Sequence, residues 1–297
     1  MRVIPIKKIL LRPNKIKDAS YNALVGVLEA LSRYDCAVWL EAEYEDTIPE
    51  NAMARDGRLH FMPLSDIAGF ADMCIVLGGD GSILDAVRRT VKKELPILGI
   101  NLGRIGYMAE IEPSETEYLD RLFSGEYTCD DRMMLSVKHI RDGVVLSENY
   151  ALNDAVVSKG TVSKVIDLEL YSDAKKIASY RADGIIFSTP TGSTAYSMSA
   201  GGPIIDPHLG CICVTPVCPH SLGQRPLLFS DGVSLTVKNV SIREKELFLT
   251  LDGNENLALE YADEVSIKKA DCKARLIKLK DVDFYNIVRH KMKNMEE

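Results

Sequence analysis

The sequence has little that would suit a secreted, membrane-bound or nucleic-acid-binding protein. Its seven cysteines, Cys36, Cys74, Cys129, Cys211, Cys213, Cys218 and Cys272, are odd in number and include no C-x-x-C pair, so the spacing spells neither a closed disulfide framework nor a redox pair. Most stand in apolar strand-like runs, where a free thiol packs as a small hydrophobe, and this usage fits a reducing compartment. No window of about 18 uninterrupted apolar residues occurs. The opening MRVIPIKKILLRP carries basic residues but neither a continuous apolar core nor a small-residue cleavage site. The expectation is a cytoplasmic chain without leader or membrane span. Basic charge is not in excess either: 36 Lys and Arg face 43 Asp and Glu, a net charge of −7. That leaves no broad electropositive face for nucleic acid or an anionic membrane, and any phosphate site must be local. The histidines lack H-E-x-x-H spacing, no G-x-S-x-G elbow supports a hydrolase triad, and there is no internal repeat or low-complexity linker.

What is present is apolar material enough for two cores, 46% of 297 residues. Lys8 to Leu11, Ala37 to Leu40, Met73 to Leu77 and Pro96 to Ile100 read as strands. Between and after them, Asp18 to Leu31 (capped by Asp18 or Ser20), Ser82 to Val91 and Ser114 to Phe123 (Ser114 as cap) read as helices. Continuous apolar strands alternating with helices predict an α/β domain with a mostly parallel sheet over residues 1–131. Beyond Arg132 the pattern changes to short extended runs parted by turns: Met134 to His139, Val144 to Leu146, Ala155 to Ser158, Lys164 to Tyr171 and Lys176 to Tyr180. These predict an antiparallel, β-rich domain over 132–280. A last helix, Asp283 to Met292 within 281–297, is placed to return to the first domain.

Three segments carry chemistry. Cys74-Ile75-Val76-Leu77-Gly78-Gly79-Asp80-Gly81-Ser82 runs from a strand through a glycine turn into a helix, where backbone N–H groups and a helix N-terminus can receive phosphate. It lacks the lysine of a P-loop and is not G-x-G-x-x-G. Read structurally, the glycines make a tight turn with Asp80 as helix cap. Against that reading, a carboxylate among phosphate-binding amides repels phosphate unless it accepts the proton of an attacking hydroxyl or holds Mg²⁺, and both roles belong to phosphoryl transfer. With an ordinary carboxyl pKa of about 3.9, orientation and charge neutralisation outweigh basicity. Asn153-Asp154 sets an amide beside a carboxylate, which suits a vicinal diol, provided the strand begins or bends there so that both reach one ligand; the pair also suits a plain turn. Thr189-Pro190-Thr191-Gly192-Ser193-Thr194-Ala195-Tyr196 gathers hydroxyls and one aromatic face fit for a purine, or equally for a turn between strands. It lies in the stretch Gly184 to Gln224, whose only formally charged residue is Asp206, a composition for buried strands, a ligand-facing segment, or both.

Gly78-Gly79-Asp80-Gly81-Ser82 resembles the GGDG signature of NAD kinases and of the related diacylglycerol and sphingosine kinases. Asn101-Leu102-Gly103-Arg104-Ile105-Gly106-Tyr107, Asn153-Asp154 and Thr189 to Tyr196 resemble NAD kinase motifs in that family's order, and the likeness runs through nearly the whole chain from about Lys8. The resemblance implies transfer of a phosphoryl group from ATP, or polyphosphate, to the adenosine-ribose 2′-hydroxyl of NAD, with Mg²⁺ or another divalent cation. It implies Asp80 as the catalytic residue, the donor on the loop of Gly79, Gly81 and Ser82, and NAD against the second domain. There Asn153 and Asp154 would hold the ribose and pyrophosphate side, and Thr191, Thr194, Ala195, Tyr196 and Ser199 would line the pocket. Tyr107 would pack near the dinucleotide, Arg181 beside Asp183 would donate to an NAD oxygen across a subunit contact, and Asp252 of Leu251-Asp252-Gly253 would stand near the nucleotide. A homo-oligomer, dimer or tetramer, is implied too. Thr215 to Leu222 also looks like a family segment; its His220 tempts as a base but reads better as structural. Ser82 stands where the family usually has threonine, Asp154 where glutamate is common, Ala182 where glycine is common, and Asn254 follows Asp252-Gly253. The alternatives are a lipid kinase, which would need a membrane-docking surface not evident here, and a non-catalytic NAD(P) sensor.

Overall fold

The computed structural model describes residues 5–103, 106–160, 165–221, 223–242 and 246–293. The chain forms two compact units, one of Met1–Asp131 with Ala274–Glu297 and one of Arg132–Lys273.

In the first unit, strands β1 (Lys8–Pro13), β2 (Ala37–Glu41), β3 (Leu59–Met62), β4 (Met73–Gly78) and β5 (Ile97–Asn101) alternate with helices α1 (Asn22–Leu31), α2 (Ala52–Arg55), α3 (Leu64–Phe70), α4 (Asp80–Thr90) and α5 (Leu119–Ser124). The strands lie in the order β5-β4-β1-β2-β3, all neighbours parallel. Every residue of β4 and β5 is buried, as expected of central strands covered on both faces. Helix α1 buries Leu24, Val27, Leu28 and Leu31, one stripe at helical spacing. Its first helical residue is Asn22, not Asp18: Tyr21 takes a left-handed conformation, and the Asp18 carboxylate accepts from the N–H groups of Ala23 (3.2 Å) and Leu24 (2.8 Å) from outside the helix. The helix expected from Ser114 is a 3₁₀ turn, Pro113–Tyr118, followed by α5; proline at its start moves the cap back to Glu112, which forms a capping box with Glu115. Strand β3 and helix α3 went unforeseen, being short and weakly periodic.

The second unit is antiparallel. Its strands are β6 (Thr128–Arg141), β7 (Val144–Ala151), β8 (Asp154–Lys159), β9 (Ile166–Ser172), β10 (Lys175–Ala182), β11 (Gly184–Ser188), β12 (Cys211–Val217), β13 (Leu227–Ser230), β14 (Leu235–Asn239), β15 (Leu247–Leu251), β16 (Glu255–Leu259) and β17 (Glu264–Lys278), with the short helix α6 (Tyr196–Ser199) between β11 and β12. One sheet runs β13-β12-β11-β8-β15-β16; another runs β10-β9-β14-β17, with β6 on β17 and β7 on β6. Alternating residues of both sheets, among them Val157, Phe187, Leu249, Leu168, Val237 and Ile267, meet in one core. Lys164, where one strand was expected to start, lies outside the described residues, as do Arg104, Ile105 and Leu222 of the recognised segments.

Sequence reading carries the second domain to residue 280. In the structure the chain rejoins the first unit at Ala274, because the end of β17 pairs in parallel with β5 through Leu276 and Ile97 and then buries Ile277 and Leu279 in the first core. Glu110 fastens this return: one carboxylate oxygen accepts from the N–H groups of Leu279 (2.8 Å) and Lys280 (2.7 Å). Helix α7 (Phe284–Lys293) follows.

Candidate active site

In the first unit the glycine turn sits at the carboxyl end of β4. Gly79 is the N-cap of α4 and Asp80 its first residue, so Asp80 is not the cap. Its side chain turns instead toward the segment after β5, where its oxygens accept from the N–H groups of Tyr107 (2.8 Å) and Met108 (3.1 Å). Each oxygen of an ionised carboxylate keeps a further lone pair, so Asp80 is fixed in direction without being used up. Close packing explains the glycines around it: a β-carbon on Gly106 would stand 2.0 Å from Asp80 Oδ1, and one on Gly78 would stand 2.3 Å from Ser82 Oγ. Ser82 Oγ accepts from Asn14 Nδ2 at 2.9 Å, tying the first turn of α4 to the loop after β1. Helix α7 adds a cation, with Lys291 Nζ 3.6 Å from the centre of the Tyr107 ring. Burial lowers the Lys291 pKa while the Asp80 charge raises it, and the Tyr107 phenol is pushed up by burial first and by Asp80 second.

In the second unit β8 begins at Asp154 and Asn153 lies in a bend before it, the arrangement that the pair needs to face one ligand. The bend is built by Asp252, 98 residues away or more in sequence, whose carboxylate accepts from the consecutive N–H groups of Leu152 (2.8 Å), Asn153 (2.7 Å) and Asp154 (3.0 Å). Asp252 itself takes φ 48°, in the left-handed region that aspartate tolerates. Asp154 is only 4% exposed. Burial, with the Asp252 charge second, pushes its carboxyl up to about 7.

The hydroxyl-rich loop is stitched to this bend. Thr189 N–H donates to the Asn153 carbonyl (2.9 Å), Thr189 Oγ1 donates to that of Leu152 (2.6 Å), and Gly192 N–H donates to Thr189 Oγ1 (3.0 Å). A β-carbon on Gly192 would stand 2.0 Å from the Asn153 carbonyl oxygen, so only glycine lets the loop come this close to the bend. Thr191 accepts from the Arg132 guanidinium (3.2 Å), Thr194 donates to the Thr191 carbonyl (3.2 Å), and Ser193 accepts from the N–H of Ile205 (3.0 Å). The hydroxyls of Thr189, Thr191, Ser193 and Thr194 are thus buried and bonded within the loop or to Leu152, Arg132 and Ile205; Tyr196 and Ser199 are the exposed side chains, with Ala195 half-buried. Arg181 lies exposed on β10, Asp183 is ion-paired to Lys159 at 2.6 Å, and His220 is exposed.

Comparison with known proteins agrees across the chain. A family model described as the ATP-NAD kinase N-terminal domain matches residues 32–127, and one described as the ATP-NAD kinase C-terminal domain matches 152–279. The chain is 39% identical to the NAD kinase of Syntrophotalea carbinolica over 87% of its own length and 91% of the relative's. It is 36% identical to the NAD kinase of Natranaerobius thermophilus over 98% and 100%. The chain belongs to the NAD kinase family. Its fold is likewise that of a yeast NADH kinase solved with NADH, at TM-score 0.89 and 24% identity over 98% of this chain and 88% of that one. An Archaeoglobus fulgidus NAD kinase solved with ATP gives TM-score 0.72 at 24% identity over 96% and 98%.

Set on this NAD kinase fold, the expected residues form two groups. Gly79, Asp80, Gly81, Ser82 and Tyr107 gather at the start of α4 in the first unit. Asn153, Asp154, Asp252 and the loop Thr191 to Ser199 gather at the start of β8 in the second, while Arg181 and Asp183 lie at the end of β10. Sequence reasoning missed Lys291, whose approach to Tyr107 depends on α7 folding back, and missed Asp252 as the builder of the Asn153 bend; an acid before glycine in a turn was the only signal.

Proposed function

We propose that the chain phosphorylates NAD at the adenosine-ribose 2′-hydroxyl, with ATP or polyphosphate as donor. The observation that carries the reading is Asp80: a carboxylate held by two backbone amides at the N-terminus of a helix, beside Gly81, whose face is open. The name shared by relatives at 36–43% identity supports NAD as the acceptor. Donor phosphates are assigned to Gly79, Gly81 and Ser82 of the first unit, and the acceptor to the second. Asn153 and the buried Asp154 take the ribose diol, Tyr196 stacks on the purine, Ser199 and Ala195 border it, and Thr191 and Thr194 shape the loop beneath. Asp252 acts by setting the bend. Asp80 orients the attacking hydroxyl and accepts its proton. Tyr107, beneath Lys291, borders the dinucleotide.

No group of three or more His, Cys, Asp and Glu suited to a metal occurs among the described residues. That fits Mg²⁺, which is commonly held by one or two carboxylates plus substrate phosphates; Asp80 is the carboxylate with spare lone pairs, and the ion would neutralise charge on the donor. No helix of the described residues is long and apolar enough to cross a membrane. A cytoplasmic homo-oligomer, dimer or tetramer, is part of the proposal, with Arg181 and Asp183 serving NAD near a subunit contact; kinship with lipid kinases rests on Gly78 to Ser82 alone.

The test is a coupled assay for NADP from NAD, ATP and Mg²⁺, beside a polyphosphate arm and an Asp80→Asn control. Product from the wild type and none from a mutant that still binds NAD supports the assignment. NAD binding without product from either donor would replace it with the sensor reading, and a mutant that loses NAD binding but keeps normal chemistry would remove Asp80 from its role.

A further inference from the structure

A cation stands over the glycine turn that the reading above leaves without a task. Lys17 lies between β1 and α1 in a turn organised by Asn14, whose Oδ1 accepts from the N–H groups of Ile16 (3.1 Å) and Lys17 (3.2 Å) while its Nδ2 donates to Ser82. The backbone at Lys17 is thereby coupled to the first turn of α4. Lys17 Nζ lies 2.7 Å from the place a β-carbon on Gly79 would take and 3.6 Å from the same place on Gly103. The ammonium therefore rests on bare glycine faces, and no carboxylate pairs with it among the described residues. Its neighbour Asp18 does not neutralise it, because that side chain is buried and caps the start of α1. Asp80 is turned to the amides of Tyr107 and Met108.

An ammonium set beside the positive end of an 11-residue helix is a repulsive pairing, about half a positive charge facing a full one. Lys17 is exposed, and no carboxylate among the described residues offsets that repulsion. An anion between them converts repulsion into two attractions. Gly81, with nothing within 4 Å of the place its β-carbon would take, leaves room for an anion beside the ammonium, and a compact ammonium is a point-charge partner for phosphate oxygens.

We propose that Lys17 is a donor-positioning residue, its ammonium gripping the phosphate chain of a nucleoside triphosphate or inorganic polyphosphate on the glycine turn. The inference rests on assigning that turn to the donor. Lys17→Met and Lys17→Arg, made in the full chain, are compared with the wild type in three measurements: KM for ATP and for polyphosphate, KM for NAD, and calorimetric binding of inorganic tripolyphosphate without nucleotide. Lys17→Met should raise KM for the donor about three- to tenfold, the range for one charge-assisted contact near solvent, and weaken tripolyphosphate by a similar factor. KM for NAD should stay within about twofold, and Lys17→Arg should recover most of the loss, as a purely structural lysine would not require. A change with both donors marks the shared phosphate chain; a change with ATP alone marks the nucleoside triphosphate. Unchanged donor KM together with unchanged tripolyphosphate binding overturns the proposal, and so does a rise in KM for NAD as large as that for the donor. Lys17-dependent tripolyphosphate binding by a protein that makes no NADP would keep this inference while removing the kinase reading.

Discussion

Asp154→Asn should make the protein more stable at pH 8 and at the same time weaken its hold on NAD. Held at about 7 instead of an ordinary value near 3.8, the Asp154 carboxyl keeps its proton in the folded chain long after the unfolded chain has lost its own. Between about pH 4 and pH 7 the folded state therefore binds more protons, and stability falls as pH rises through that window. At about 1.4 kcal/mol per pH unit, the ionised folded form is disfavoured by at most about 4 kcal/mol. Asparagine removes the charge but must still satisfy an amide in the same buried place, so about 1–3 kcal/mol should be recovered. Urea unfolding of wild type and variant at pH 4.5 and pH 8 reads the difference directly: near zero at the lower pH, positive at the higher. KM for NAD should fall in the wild type as pH rises through about 7, because the ionised carboxylate is the better diol acceptor, and should be higher and flat in the variant. A stability difference that does not change between the two pH values, or a variant less stable at pH 8, refutes the electrostatic reading.

Two further substitutions probe the scaffolding of each group. Gly106→Ala places a methyl 2.0 Å from Asp80 Oδ1 and must displace the carboxylate; kcat should drop about a hundredfold, with NAD binding by titration little changed. Asp252→Asn withdraws the charged acceptor from three consecutive amides, so chemical denaturation should show a loss of about 2–4 kcal/mol, and KM for NAD should rise as the Asn153 bend relaxes.

Local signals carried the reading a long way. The unbroken apolar run before Gly78 announced a buried parallel strand and the glycines a turn into a helix; the acid among them is the catalytic residue of the proposal. What stayed hidden depends on distance along the chain. Asp252 stands 98 residues or more along the chain from the bend it shapes, and the acid-glycine turn around it does not say which amides it serves. Lys17 and Lys291 look like ordinary surface lysines until folding lays one over Gly79 and the other over Tyr107. The hydroxyls of the loop from Thr189 were legible, but the turn they build was not: five hydrogen bonds hold them, two within the loop and three to Leu152, Arg132 and Ile205. Helix starts moved for a similar reason, since Asp18 serves its helix from outside and Pro113 relocates a cap.

The parallel pairing of Leu276 with Ile97 also bears on how the protein comes into being. A ribosome completes the whole of 132–273 before it supplies the strand that covers β5 and the side chains of Ile277 and Leu279 that fill the core beneath. Until then the nascent first unit leaves the start of β5 at Ile97 unpaired on that edge, Ile100 being bridged already by Ile111, and leaves the core beneath unfilled, the sort of surface that recruits other chains. Residues 1–131 produced alone should be prone to aggregate, and supplying 274–293 as a separate peptide should rescue them.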